Sequence, residues 1–106
     1  MEKVICIKEA MDICCNDKEF FNEMVILLRE DLNICLQLLE KAYDKQDHGE
    51  LESISHRIKG QADNMASKDL SEKSKKVNYT AKLCLFDKAE YLELVSSINN
   101  FLRYTI

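Results

Sequence analysis

Within SHRIKGQADNM, residues 55–65, a histidine, a lysine and a glycine stand at positions 56, 59 and 60. Their types and spacing suit group-transfer chemistry. An imidazole of ordinary pKa, about 6.5, is available as a neutral nucleophile at physiological pH. On a helix Gly60 lies one turn after His56 on the same side, where glycine costs about 1 kcal/mol relative to alanine. Loss of the side chain there clears the space above the ring, so that a bulky group can approach along the helix surface. Lys59, also one turn from His56, sets a cation beside that space and suits a phosphoryl group or another anion. The chemistry implied is attack by an exposed imidazole on an acyl phosphate.

That chemistry needs the ring to face outward. At about 100° per residue, Leu51, Ile54, Ile58, Ala62 and Met65 fall within an arc of about 80°, and His56 lies roughly 160° from its middle. The apolar arc must face a core, so His56 faces solvent. The elements around it follow from punctuation. Asn16 with Glu19 three places on opens a long helix, with an apolar stripe through Phe20, Met24, Leu27, Leu28, Cys35, Leu38, Leu39 and Ala42. It ends at DKQDHG, residues 44–49, where Gly49 reads as the turn residue.

Asp47 with Glu50 opens the helix that carries His56. Ser67, or Asp69 with Glu72, opens the next, whose apolar positions are Leu70, Val77, Ala81 and Cys84. Asp87 with Glu90 opens the last, with Tyr91, Val95, Ile98 and Leu102. VICIKEAMDICC at the N-terminus predicts a short helix on one end of the others. The expectation is an all-α fold, an antiparallel up-and-down four-helix bundle with an additional short N-terminal helix.

Composition agrees. The chain has 106 residues, read as one domain over 1–106, with no proline and two glycines, and its long runs use residues that helices tolerate. A formal net charge of -4 argues against a general nucleic-acid or anionic-membrane binder, because either needs a basic face. The N-terminal run carries acids and lysines without a small-residue cleavage site, and no apolar run approaches spanning length. A cytoplasmic protein is expected. Five cysteines, Cys6, Cys14, Cys15, Cys35 and Cys84, form no CxxC pair and read as reduced core or boundary thiols, with redox sensing at Cys14 and Cys15 as the other reading. A metal- or haem-binding bundle lacks ligands, since His48 falls in a turn and His56 points outward.

The stretch HRIKGQADNMASKDL, residues 56–70, resembles the HxxKG signature of the histidine-containing phosphotransfer (HPt) domain family, in which small residues and then a leucine follow. The preceding helix LLREDLNICLQLLEKAYDKQDHGELESIS and the following SEKSKKVNYTAK fit as well, so the resemblance covers about residues 10 to 103.

The resemblance implies that His56 is the phosphoacceptor, that Lys59 helps neutralise the phosphoryl group and that Gly60 permits approach. It implies that Asn78, matching an amide on the next helix, orients the imidazole. It implies no cofactor of the chain's own, with magnesium supplied by the partner. The partners implied are response-regulator receiver domains and a hybrid histidine kinase, with the protein itself a monomer and a phosphotransfer substrate more than an enzyme. Partner docking is expected at Phe20, Phe21, Met24, Glu52, Gln61 and Asp63, where core packing is the other reading for the apolar three.

Departures from the pattern are Ala66-Ser67 in place of Gly-Ala, and Gln61 and Asp63 where smaller or neutral residues are usual. Asp63, four residues after Lys59, either pairs with it or repels a phosphate. Lys68, Lys73, Lys75 and Lys76 read as a solvated face or as a contact for an acidic receiver pocket. His48 reads as simply exposed. The alternative function is a helical module that binds receivers or other signalling partners without being phosphorylated.

Overall fold

The computed structural model describes residues 4–105, and the first three residues and the last of the predicted domain lie outside them. Five helices follow one another: α1 (Ile7–Ile13), α2 (Lys18–Asp44), α3 (His48–Asn64), α4 (Lys68–Lys82) and α5 (Lys88–Tyr104). Among the described residues there is no strand. Helix α3 packs on α2 and α4, and α5 closes the ring against α4 and α2. This is the antiparallel four-helix bundle that the periodicity predicts, with α1 as the short additional helix. The Cys6 amide donates to the Ala66 carbonyl at 3.0 Å, and Ile5 is fully buried, so the α1 segment sits on the α3–α4 turn end of the bundle.

Short aspartate caps start three helices. Asp17, Asp47 and Asp87 each accept the amide three residues on, from Phe20, Glu50 and Glu90, and satisfy one of the first-turn donors that a helix leaves unpaired. The α2 cap is therefore Asp17 and not Asn16, which sits in the left-handed region at φ 58°. Ser67 caps α4 by position but without a side-chain hydrogen bond.

Helices α1 to α4 stop in one shared way. In α3, Ser67 N–H donates to the Ala62 carbonyl and Ala66 N–H to the Asp63 carbonyl; the same paired bonds close α1, α2 and α4. The left-handed position in these motifs falls to Cys15, Gln46, Ala66 and Cys84, none of them glycine. Gly49, expected as the turn residue, lies inside the first turn of α3. Because Asp47 and Ser67 serve both as the end of one motif and as the next cap, the α2–α3 and α3–α4 turns are very short.

The core corrects the phase of α2. Its buried residues are Phe21, Val25, Leu28, Leu32, Cys35, Leu39 and Ala42, alternately four and three apart, a strict heptad seam. Phe20, Leu27 and Leu38 of the expected stripe are exposed. On α3 the expected arc is right: Leu51, Ile54, Ile58, Ala62 and Met65 are all buried. On α5, Leu94, Ile98 and Phe101 are fully buried, while Tyr91, Val95 and Leu102 only border the core. Cys84 lies beyond α4 and is exposed, as is Cys15; Cys14 and Cys35 are buried and Cys6 is half-buried.

Polar ties fix the helices laterally. Arg29 on α2 donates to the Leu102 carbonyl and, at 2.8 Å, to Thr105 Oγ1 at the end of α5. Ser97 on α5 donates to Asp69 on α4 at 2.7 Å. His48 is not simply exposed: its ring stacks on Phe86 at 4.0 Å, beside a Tyr43–Tyr91 stack at 3.9 Å.

Candidate functional site

His56 is exposed on α3, opposite the core arc, and faces the groove between α3 and α4. Lys59 lies on the same groove, with Lys75, Lys76, Asn78, Tyr79 and Lys82 contributed by α4. Glu90 and Glu93 of α5 close its far edge. Gly60, one turn after His56, is exposed, and a Cβ placed there would meet no atom within 4 Å. The surface above the ring is therefore open.

Asn78 is nearly buried, at 9% exposure, and its amide donates to the Glu52 main-chain carbonyl at 2.8 Å. The amide thus holds the backbone one turn before His56 rather than the imidazole itself, which corrects the expected ring contact. The reason is reach: a buried asparagine on α4 meets the facing carbonyl before it meets an outward-pointing ring. Glu52 is half-buried and shares with His56, Asn78 and Lys82 a smaller cleft at the N-terminal side of the ring.

Lys59 does not stand free. Its Nζ lies 3.0 Å from Asp63 Oδ2, and Asp63 Oδ1 accepts a 2.5 Å hydrogen bond from Ser71 Oγ on α4. The Ser71 hydroxyl, and then Lys59, hold the Asp63 carboxyl below the usual carboxylate range despite some desolvation. Of the two readings for Asp63, pairing with the lysine is the one adopted.

Gln61 points elsewhere. Its amide donates at 2.5 Å to Asp31 on α2, which Arg57 also binds through two nitrogens and to which Cys35 Sγ donates at 3.4 Å. Gln61 is about 140° around α3 from His56, so it belongs to the α2–α3 seam and not to the His56 groove. Burial opposes ionisation of Asp31, but the donors Arg57, Gln61 and Cys35 outweigh it and lower its pKa. Desolvation, reinforced by Asp31, pushes the Cys35 thiol up to about 12, which leaves it inert.

The expected apolar docking residues also move. Phe21 is core, at 6% exposure, because it occupies the buried seam. Met24 lines a cleft with Leu27, Asp31, Gln61 and Asn64 on the α2–α3 side, and Phe20 is exposed further along α2. With Gln61 level with Asp31 on an antiparallel neighbour and a rise of about 1.5 Å per residue, Phe20 and Phe21 lie about 23 Å along the bundle from His56. They do not form a patch beside the ring.

Among the α4 lysines singled out in the sequence, Lys75 and Lys76 reach the groove. Lys68 pairs with Glu9 at 3.3 Å, and Lys73 with Glu93 at 3.7 Å. Lys82, Tyr79 and Ser71 were missed by sequence reasoning. The signal for Lys82 was its position one turn after Asn78 on the same face of α4. Among the described residues no group of three or more His, Cys, Asp or Glu could hold a metal ion, and no helix is long and apolar enough to cross a membrane.

A family model described as Hpt domain matches residues 23–82, which run from the second turn of α2 to the end of α4 and include His56 and the α3 and α4 residues of its groove. Neither a curated protein nor a solved structure gives a match.

Proposed function

The chain belongs to the Hpt domain family, the histidine phosphotransfer modules of two-component signalling, and from that premise we propose that it is a phosphorelay intermediate whose phosphoacceptor is His56. Domains of this family interact with receiver domains and kinases and are phosphotransfer modules rather than catalytic enzyme domains. His56 takes the phosphoryl group from the aspartyl phosphate of one receiver and passes it to the aspartate of another.

The observation that carries this reading is the exposed imidazole of His56 beside a glycine that leaves the helix surface open, on a groove lined with lysines. In the forward step the unprotonated ring nitrogen attacks phosphorus. The N–P bond forms as the O–P bond to the aspartyl carboxylate breaks, and the carboxylate leaves with the bonding pair; the other ring nitrogen keeps its proton. Nearby cations lower the cost of bringing a dianionic phosphoryl group to the protein surface. Magnesium enters with the receiver, a cytoplasmic setting is part of the same reading, and the working unit is a monomer that leaves the His56 face free for docking.

The test is phosphotransfer from a magnesium-loaded, phosphorylated receiver domain. Acid-labile, base-stable phosphate should appear on the wild type and not on His56→Gln. Binding of receivers that is equal for both proteins, with no label on either, would replace the relay with a non-phosphorylated docking module.

A further inference from the structure

We propose that in this chain Lys82, on α4, is the cation that holds the phosphoryl oxygens on His56, in place of Lys59. The inference rests on the reading of His56 as phosphoacceptor and names a further catalytic residue for that step.

Lys59 is already engaged. Its ammonium is drawn 3.0 Å from Asp63, and Asp63 is itself anchored to α4 by Ser71. Asp63 lies one turn further toward the C-terminal end of α3, so this pairing pulls the ammonium along the helix in that direction. The imidazole leans the opposite way. Helical side chains tilt toward the N-terminus of their own helix, and the ring of His56 therefore covers the turn at Glu52 and Ser53.

Lys82 is directed at that same turn. Helices α3 and α4 run antiparallel, and the Asn78 bond to the Glu52 carbonyl sets Asn78 level with Glu52. Lys82 follows Asn78 by one turn, and its side chain leans back toward Asn78 by the same tilt rule. The two side chains converge from opposite directions on one cleft, lined by Gly49, Glu52, Ser53, His56, Asn78 and Lys82. Lys75 and Lys76 reach only the wider part of the groove.

Lys82 is exposed, and among the described residues it forms no ion pair. It also occupies the last turn of α4, where a cation is favoured by the helix dipole. During transfer its ammonium pairs with the non-bridging oxygens of phosphorus as the N–P bond forms and the donor's bond breaks with its electron pair. No proton moves to or from Lys82.

The test uses two phosphodonors on the whole chain. Phosphoramidate, too small to need a docking surface, loses ammonia as His56 takes its phosphoryl group; the other donor is a magnesium-loaded, phosphorylated receiver. Single-turnover labelling at saturating donor should fall about ten-fold in Lys82→Ala with both, as expected for loss of one charge-assisted contact. It should recover in Lys82→Arg and fall less in Lys59→Ala. Asp63→Asn, which releases Lys59, should restore labelling in the Lys82→Ala background.

Labelling of Lys82→Ala at the wild-type rate, or a defect seen with the receiver alone, overturns the assignment and leaves the relay reading intact. A wild type that accepts no label from either donor overturns that underlying reading, and the role of Lys82 falls with it.

Discussion

The side-chain amide of Asn78 donates a 2.8 Å hydrogen bond to the main-chain carbonyl of Glu52, one turn before His56. In the helical ladder that carbonyl also accepts the His56 amide, so the bond ties the backbone under the imidazole to α4. Asn78→Ala removes a buried donor from a carbonyl that keeps its helical partner. It should cost about 1–2 kcal/mol in urea unfolding, and the NMR resonances of the His56 ring should shift with it. An unchanged midpoint and unchanged ring resonances would show that α3 is held without this contact.

Gly60→Ala separates stability from access. An added Cβ meets nothing within 4 Å, and alanine is the better helix former. Thermal unfolding should show a gain of about 0.5–1 kcal/mol, while transfer from a phosphorylated receiver slows because the methyl group stands in the path to His56. A variant that gains stability and transfers at the wild-type rate would remove Gly60 from the site.

The phase of α2 is testable with adjacent leucines. Leu28 is 4% exposed and Leu27 is 57% exposed. Leu28→Ala should destabilise by about 3 kcal/mol through a cavity, and Leu27→Ala should stay within about 0.5 kcal/mol. Comparable losses at both positions in equilibrium unfolding would mean that the outer row of α2 is covered in solution.

Acid should weaken the α2–α3 seam. Burial works to raise the Asp31 pKa, but hydrogen bonds from Arg57, Gln61 and Cys35 win and depress it below its ordinary value of 3.8. A depressed folded pKa adds stability that is fully present above 3.8 and is lost as pH falls below it toward the folded value. Unfolding free energy measured between pH 5 and about 2 should therefore drop, and Asp31→Asn should flatten part of that slope. An identical slope in the variant would assign the acid limb to other carboxylates, Asp63 first, because Ser71 and Lys59 depress it too.

The amino-acid order alone makes several of these features legible. The caps at Asp47 and Asp87 can be read because an N-cap is a hydrogen bond within four residues. The α3 core face and the exposure of His56 can be read because that helix carries only one apolar arc. Helix α2 carries two. Beside the buried seam runs a second row, Phe20, Met24, Leu27, Asp31, Ile34 and Leu38, with the same four-three spacing, and periodicity alone cannot say which row meets the neighbours. The turns mislead for a different reason: their left-handed positions are held by Gln46 and Ala66, so the usual glycine signal is missing, while Gly49 gives a turn signal from inside a helix.

By itself the sequence determined the helical class, the order of the elements and an exposed histidine with an open turn beside it, since each depends on interactions within a few residues of one segment. Only the tertiary structure decided which row of α2 is buried, that Gln61 serves Asp31, that Asn78 holds a carbonyl, and that Ser71 anchors Asp63 against Lys59. Those contacts depend on the register and facing of neighbouring helices, which arise when all four pack together and which no single helix encodes.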